Sequence, residues 1–231
     1  TKTVKGQKRV LQGTTDSIYF KFKNIKGPAD SIHFTVSCSN NSVQFPEPEF
    51  SLKNIPFLEK ITSISQPIPI SIKEDISSQR IEIDIRAEND NFEQNFKAVL
   101  NIGYLETLIV RANSKTENLN KIYNIFDSLG YDYESLDLTE EDSSEIHIDK
   151  RKTILWFEGN ENLCFQDSTI TNEIRTFLDN GGNLLVSGIG IPFMLSRKDS
   201  TFLADYLGVN YKKRTKKNII KGRSEERRVG K

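Results

Sequence analysis

The chain has 231 residues, 36% hydrophobic and 28% charged, with Lys+Arg and Asp+Glu balanced at 32 each. This is the composition of a globular chain with a packed core, and it excludes a disordered polyelectrolyte. No run approaches the roughly 18 apolar residues of a membrane-spanning helix.

The opening TKTVKGQKRV has neither an initiator Met nor the apolar stretch of a signal peptide. It reads as the start of an internal piece of a longer protein. From there to about Gly103 the sequence alternates with period two. Ser17–Lys23, Ser31–Ser37 and Arg80–Arg86 each place apolar side chains on one face and polar ones on the other. That pattern predicts half-buried strands. The turn-rich stretches KGPAD, SNNS, FPEPE and ENDN separate them. About seven short strands without a helical segment predict an antiparallel β-sandwich. Pro67 and Pro69 in QPIPISI predict an edge strand, where a missing N–H is tolerated.

After Gly103 the period changes. Leu108-Ile109-Val110 is a continuous apolar run, as expected of a strand covered on both faces. Ser114-Lys115-Thr116-Glu117 is a capping box. Leu119, Ile122, Tyr123, Phe126 and Leu129 then follow at helical spacing, and Gly130 ends the helix. Tyr133–Leu138 and Thr153–Phe157 read as further strands. Thr171 is expected to cap a second helix with Ile174, Phe177 and Leu178 on its buried side. Gly181-Gly182 ends that helix, and Asn183–Val186 forms a fourth strand that runs into the turn Ser187-Gly188-Ile189-Gly190. Strands alternating with helices predict a parallel sheet.

Chemistry-bearing residues are sparse. Cys38 and Cys164 stand about 125 positions apart, without the spacing of a zinc site or redox pair, and read as separate thiols, a disulfide between the halves being the alternative. His33 and His147 are isolated, so no metal site and no cofactor is expected. From Tyr211 onward there are ten Lys/Arg and two Glu. Residues 223–231, RSEERRVGK, match the translation of a DNA-sequencing adapter and are read as a non-native tail. Without them 28 basic and 30 acidic residues remain, and the cluster KKRTKK at 212–217 reads as a solvated loop, not a nucleic-acid site.

Two resemblances add to this reading. "YFKFKNIKGPADSIHFTVSCSNNSVQF" resembles the Ig-like modules of large secreted bacterial proteins. "TLIVRAN", "IYNIFDSLGYDYESLDL", "KTILWFEGN", "TITNEIRTFLDNGGNLLVSG" and "TFLADYLGVNY" resemble, in order, the class I glutamine amidotransferase-like fold. Together they imply an all-β Ig-like sandwich over 1–103, then a flavodoxin-like α/β parallel sheet over 104–222, C-terminally incomplete. Active members of that fold carry a cysteine on the turn after the second helix. Here Gly188, or at the nearest offset Ser187 or Ile189, stands in that place. The resemblance therefore implies a degenerate, non-catalytic layer beside a catalytic domain, such as a peptidase, elsewhere in an extracellular or cell-surface protein. The expected partners are other domains of the polypeptide and a peptide or glycan, with no nucleic acid and no membrane span in this region. The alternatives are an active hydrolase or amidotransferase using Cys164 or Ser187, and a module binding a small anion or glycan. Open parallel sheets bind ligands at the carboxyl ends of their strands. A pocket lined by Arg111, Asn113, Glu158, Asn160, Ser187 and Gly188 is the expected site.

Overall fold

The computed structural model describes residues 2–3, 9–25, 27–112, 116–140, 143, 146–158, 168–188 and 190–212. Strands take 43% of them. Up to Ile102 there are eleven: β1 (Lys2–Thr3), β2 (Arg9–Val10), β3 (Thr15–Tyr19), β4 (Lys21–Lys23), β5 (Ala29–Ser37), β6 (Val43–Gln44), β7 (Glu49–Ile55), β8 (Lys60–Thr62), β9 (Ile68–Ile72), β10 (Gln79–Asn89) and β11 (Phe92–Ile102). They form sheets of order β1-β3-β9-β6 and β2-β11-β10-β5-β7, with a two-stranded ribbon β4-β8.

The alternation sets which faces are buried. Ile81, Ile83 and Ile85 of β10 are 5%, 0% and 2% exposed, and the intervening Glu82 and Asp84 face solvent. Val36 and Phe34 of β5 stand opposite Ile85 and Ala87, so one row of apolar side chains crosses the sheet. The run Ser17–Lys23 is not one strand. It breaks at Phe20, whose N–H is accepted by the Ser63 hydroxyl, and β3 and β4 go to different sheets. QPIPISI is not an edge strand either: β9 lies between β3 and β6. The prolines survive there because β6 is two residues long and pairs only with Ser71 and Ile72. Pro69 therefore has a described neighbour strand on one side only.

The second part has β12 (Thr107–Ala112), α1 (Thr116–Leu129), β13 (Glu134–Asp137), β14 (Thr153–Glu158), α2 (Ser168–Asp179), β15 (Asn183–Ser187), α3 (Ile191–Lys198) and α4 (Ser200–Asp205). Its strands form one separate parallel sheet, β13-β12-β14-β15. One face packs Val110, Trp156, Ile174, Phe177, Leu195 and Phe202 into a core under α2, α3 and α4. The other packs Ile109 and Tyr133 against Leu119 of α1. Helix α2 begins at Ser168, ahead of the expected Thr171, which is itself buried.

An Ig-like sandwich followed by a flavodoxin-like sheet is not what the chain builds. The first part curls into a half-barrel, and the second is a separate parallel sheet. The cause is a mismatch of lengths. Strands β10 and β11 have eleven residues each, whereas β3 and β9 opposite them have five and β1 and β6 only two. A long sheet cannot be capped by a shorter one as two equal layers, so it curls over its own inner face and leaves one end open. In the second part α1 is the single described helix on its face, short of the double cover of a flavodoxin-like layer.

Candidate functional site

The carboxyl ends of β12, β14 and β15 were the expected site. Register decides which of its residues meet. Arg111 stands opposite Asp137 and Phe157, and Ser187 also stands opposite Phe157. Directly opposed residues share a face, so Arg111 and Ser187 lie on the α1 side. Ala112 stands opposite Glu158, one residue on, and both lie on the α2 side. The sheet therefore separates Arg111 and Ser187 from Glu158. Asn113, Asn160 and Cys164 lie outside the described residues.

On the α1 side Arg111 Nη1 pairs with Asp137 Oδ2 at 2.9 Å, both groups half-buried. Beside them burial, and then the neighbouring Tyr133, push the Tyr123 hydroxyl above its ordinary range, with Arg111 pulling the other way. Ser187 is exposed. On the α2 side Glu158 is 5% exposed and lies beneath Gly188. A Cβ on Gly188 would come within 2.7 Å of Ile191 Cδ1 and 3.1 Å of Glu158 Cβ. A side chain here would meet that close approach, not a left-handed backbone. Beyond it the chain enters α3 with Pro192 in the first turn, and Asp199 Oδ1 caps α4 by accepting the Phe202 N–H at 2.9 Å.

Neither histidine reaches this edge. His33 Nδ1 lies 3.2 Å from Ser51 Oγ in the half-barrel. His147 precedes β14 and packs edge-on against Tyr104, with 5.0 Å between ring centres. It sits at the amino end of the parallel sheet, and β14 rises about 3.3 Å per residue toward Ser187 at the other end. A serine nucleophile needs its base within hydrogen-bond reach, so neither histidine serves Ser187. Cys38 is a free thiol with Sγ 3.3 Å from the Glu82 carbonyl oxygen. Among the described residues no cluster of His, Cys, Asp or Glu could hold a metal ion. No described helix is long and apolar enough to cross a membrane.

Among the described residues, buried charge gathers elsewhere, where the two parts join. Glu134 opens β13 and is 1% exposed. Its Oε1 accepts from Arg9 Nε at 3.1 Å and Nη2 at 2.7 Å, and its Oε2 lies 2.8 Å from Arg151 Nη2 as an ion pair. The Arg9 and Arg151 side chains are 3% and 0% exposed. Both guanidinium groups also lie over the Tyr104 ring, at 4.7 Å and 5.3 Å. Arg151 Nη1 donates to the Leu105 carbonyl at 2.8 Å. Desolvation lowers the Arg151 pKa, and Glu134 opposes that shift. A second bridge sits nearby: Arg80 Nη1 meets Asp127 Oδ1 at 2.7 Å, and its guanidinium covers the Tyr133 ring at 4.8 Å. Sequence reasoning missed the buried cluster because Arg9 and Glu134 are 125 positions apart. The one local signal was Tyr104, an aromatic residue directly after the change of period.

No family model matches the chain, and no curated protein matches it. Among solved structures it is similar to a family 123 glycoside hydrolase from Clostridium perfringens, with 11% identity, 64% of this chain and 33% of that one covered, and a TM-score of 0.25. It is also similar to a sialyltransferase from Photobacterium damsela, with 10% identity, 83% and 39% covered, and a TM-score of 0.23. The chain spans well under half the length of either, and at these TM-scores neither likeness assigns a fold or an activity to it.

Proposed function

We propose that the chain is a rigid, non-catalytic piece of a larger secreted or surface protein, holding other domains at a fixed spacing and orientation. The observation that carries this reading is the junction of the two parts. Glu134 clamps Arg9 of the half-barrel and Arg151, which precedes β14, beside the Tyr104 ring, with all three charged side chains buried. The connection between β11 and β12 is four residues long, and it is fixed at both ends. Gly103 N–H donates to Val10 O at 2.8 Å, and Glu106 O accepts from Lys152 N at 2.8 Å and Thr153 N at 3.0 Å. A linker held in this way leaves no hinge, in contrast to the usual freedom between domains.

The reading extends to the turn after β15. The turn Ser187-Gly188-Ile189-Gly190 carries no thiol, and the proposal gives it no nucleophile. Reaction of the full chain with a fluorophosphonate and with chloroacetamide, mapped by mass spectrometry, tests the absence of catalysis. The expected result is no adduct at Ser187 and labelling of Cys164 no faster than that of free cysteine. Stoichiometric modification of Ser187, or accelerated labelling of Cys164, would overturn it.

A further inference from the structure

The open end of the half-barrel has two features that fit one kind of ligand. The first is a strand edge. On the side away from β10, β11 has a described partner only at Asn101 and Ile102, where β2 pairs with it. From Phe92 to Lys97 that edge has no described partner strand. An unpaired edge presents backbone N–H and C=O groups in a row, a template for one more strand.

The second is a cavity of about 360 Å³ directly beside that edge. Phe92, Gln94 and Phe96 stand opposite Asn89, Ala87 and Ile85, so they share the inner face. Ala87 and Ile85 are each 2% exposed, whereas Phe96 is 36% exposed, because the shorter opposing strands do not reach it. Phe22, Ile25 and Ile61 form the far wall. Phe22 is fixed by stacking on Phe34, with ring centres 4.7 Å apart, and Phe34 stacks in turn on Phe50 at 4.8 Å. The wall is thus in place before any ligand arrives. Lys23 is the one charged residue in the lining, and the polar members are amides. Asn89 Oδ1 accepts from the N–H groups of Asn91 and Phe92, which holds the β10–β11 turn in shape. The opposite face of the hairpin is polar and self-paired, through Lys97 with Glu82 and Arg86 with Glu93.

We propose that β11 binds an extended peptide segment as an added antiparallel or parallel strand, with alternate apolar side chains of that peptide entering the cavity. The strand edge supplies backbone hydrogen bonds, and the cavity reads every second side chain. A polar outer face and an apolar inner one require a ligand that alternates in the same way. This site goes beyond the spacer role and is independent of the Glu134 junction.

The test uses the full chain and a fluorescent library of blocked hexapeptides in which Phe, Leu or Ile alternates with Thr or Ser. Binding of at least one member by anisotropy, with slowed amide exchange at 92–97, is expected. N-methylation of alternate residues should weaken that member about tenfold in one register and leave it unchanged in the other. Phe96→Arg should weaken it about tenfold while the unfolding midpoint stays unchanged, and Phe92→Ala serves as the second variant should the first unfold. The proposal is overturned if no member binds, if both N-methylated registers bind like the parent, or if a short glucan oligosaccharide occupies the cavity and excludes every peptide. It is also overturned if rising protein concentration alone protects 92–97, which would assign the edge to a second copy of the chain.

Discussion

Glu134→Gln removes one charge and almost no volume from the junction. The carboxylate it replaces makes two contacts with Arg9, at 3.1 Å and 2.7 Å, and one with Arg151, at 2.8 Å. Both arginines then stay in the interior without the charge that Glu134 supplies. Breaking a buried ion pair from one side costs about 3–5 kcal/mol. Part of the charge stays compensated, since Leu105 O still accepts from Arg151 and the Tyr104 ring still faces both guanidinium groups. Each such ring contact is worth about 1 kcal/mol. The expected loss is therefore near the lower end, about 3 kcal/mol, a large share of the roughly 5–15 kcal/mol that holds a domain folded. Urea unfolding measures it with two probes. Emission of Trp156, the single tryptophan and 0% exposed, reports on the parallel sheet, and the native amide cross-peak intensities of β10 and β11 report on the half-barrel. The two curves should coincide in the wild type and separate in the variant. A loss under about 1 kcal/mol would refute the reasoning, because it would mean that the arginines had found water. The charge-free triple variant Arg9→Met, Glu134→Leu, Arg151→Met should fall close to the wild type, since apolar packing often replaces a buried ion cluster without loss.

Gly188→Ala forces a methyl group against Ile191 Cδ1 and Glu158 Cβ, and should cost about 1–3 kcal/mol in urea unfolding. Stability should fall as pH rises past about 10, the ordinary tyrosine value. Burial raises the folded-state pKa values of Tyr123 and Tyr133, so the unfolded chain releases those protons first and alkali favours unfolding. A pH titration of the thermal midpoint from 8 to about 11 measures this, and Tyr123→Phe should flatten the decline. Ser187→Ala, at an exposed site, should leave stability within about 0.5 kcal/mol.

Much of the local structure was legible because it depends on neighbours in sequence. The three isoleucines of β10 are buried as their alternation requires, and Gly130 follows α1 in the left-handed conformation, at φ 68°. What was not legible depends on lengths and on faces. The alternation of β10 predicts a strand, but not that its eleven residues would face partners of five and two, which is what turned an expected sandwich into a half-barrel. The described residues of the expected pocket divide between the two faces by parity. Arg111 follows Val110 by one residue and Glu158 follows Trp156 by two, so the first points away from the core that Val110 and Trp156 share and the second points into it. Strand periodicity contained that fact, but treating the sheet edge as one surface hid it. The charge cluster could not be found locally at all. Arg9, Glu134 and Arg151 each sit in an ordinary polar stretch, and only the fold brings them onto Tyr104.

Rotational diffusion from ¹⁵N relaxation of the full chain tests the rigid-piece account most directly. Amides of β10 and β11 and amides of β12 and β14 should fit one diffusion tensor. Two independent tensors in the wild type would contradict the account, because a hinge between the half-barrel and the parallel sheet cannot hold other domains at a fixed spacing.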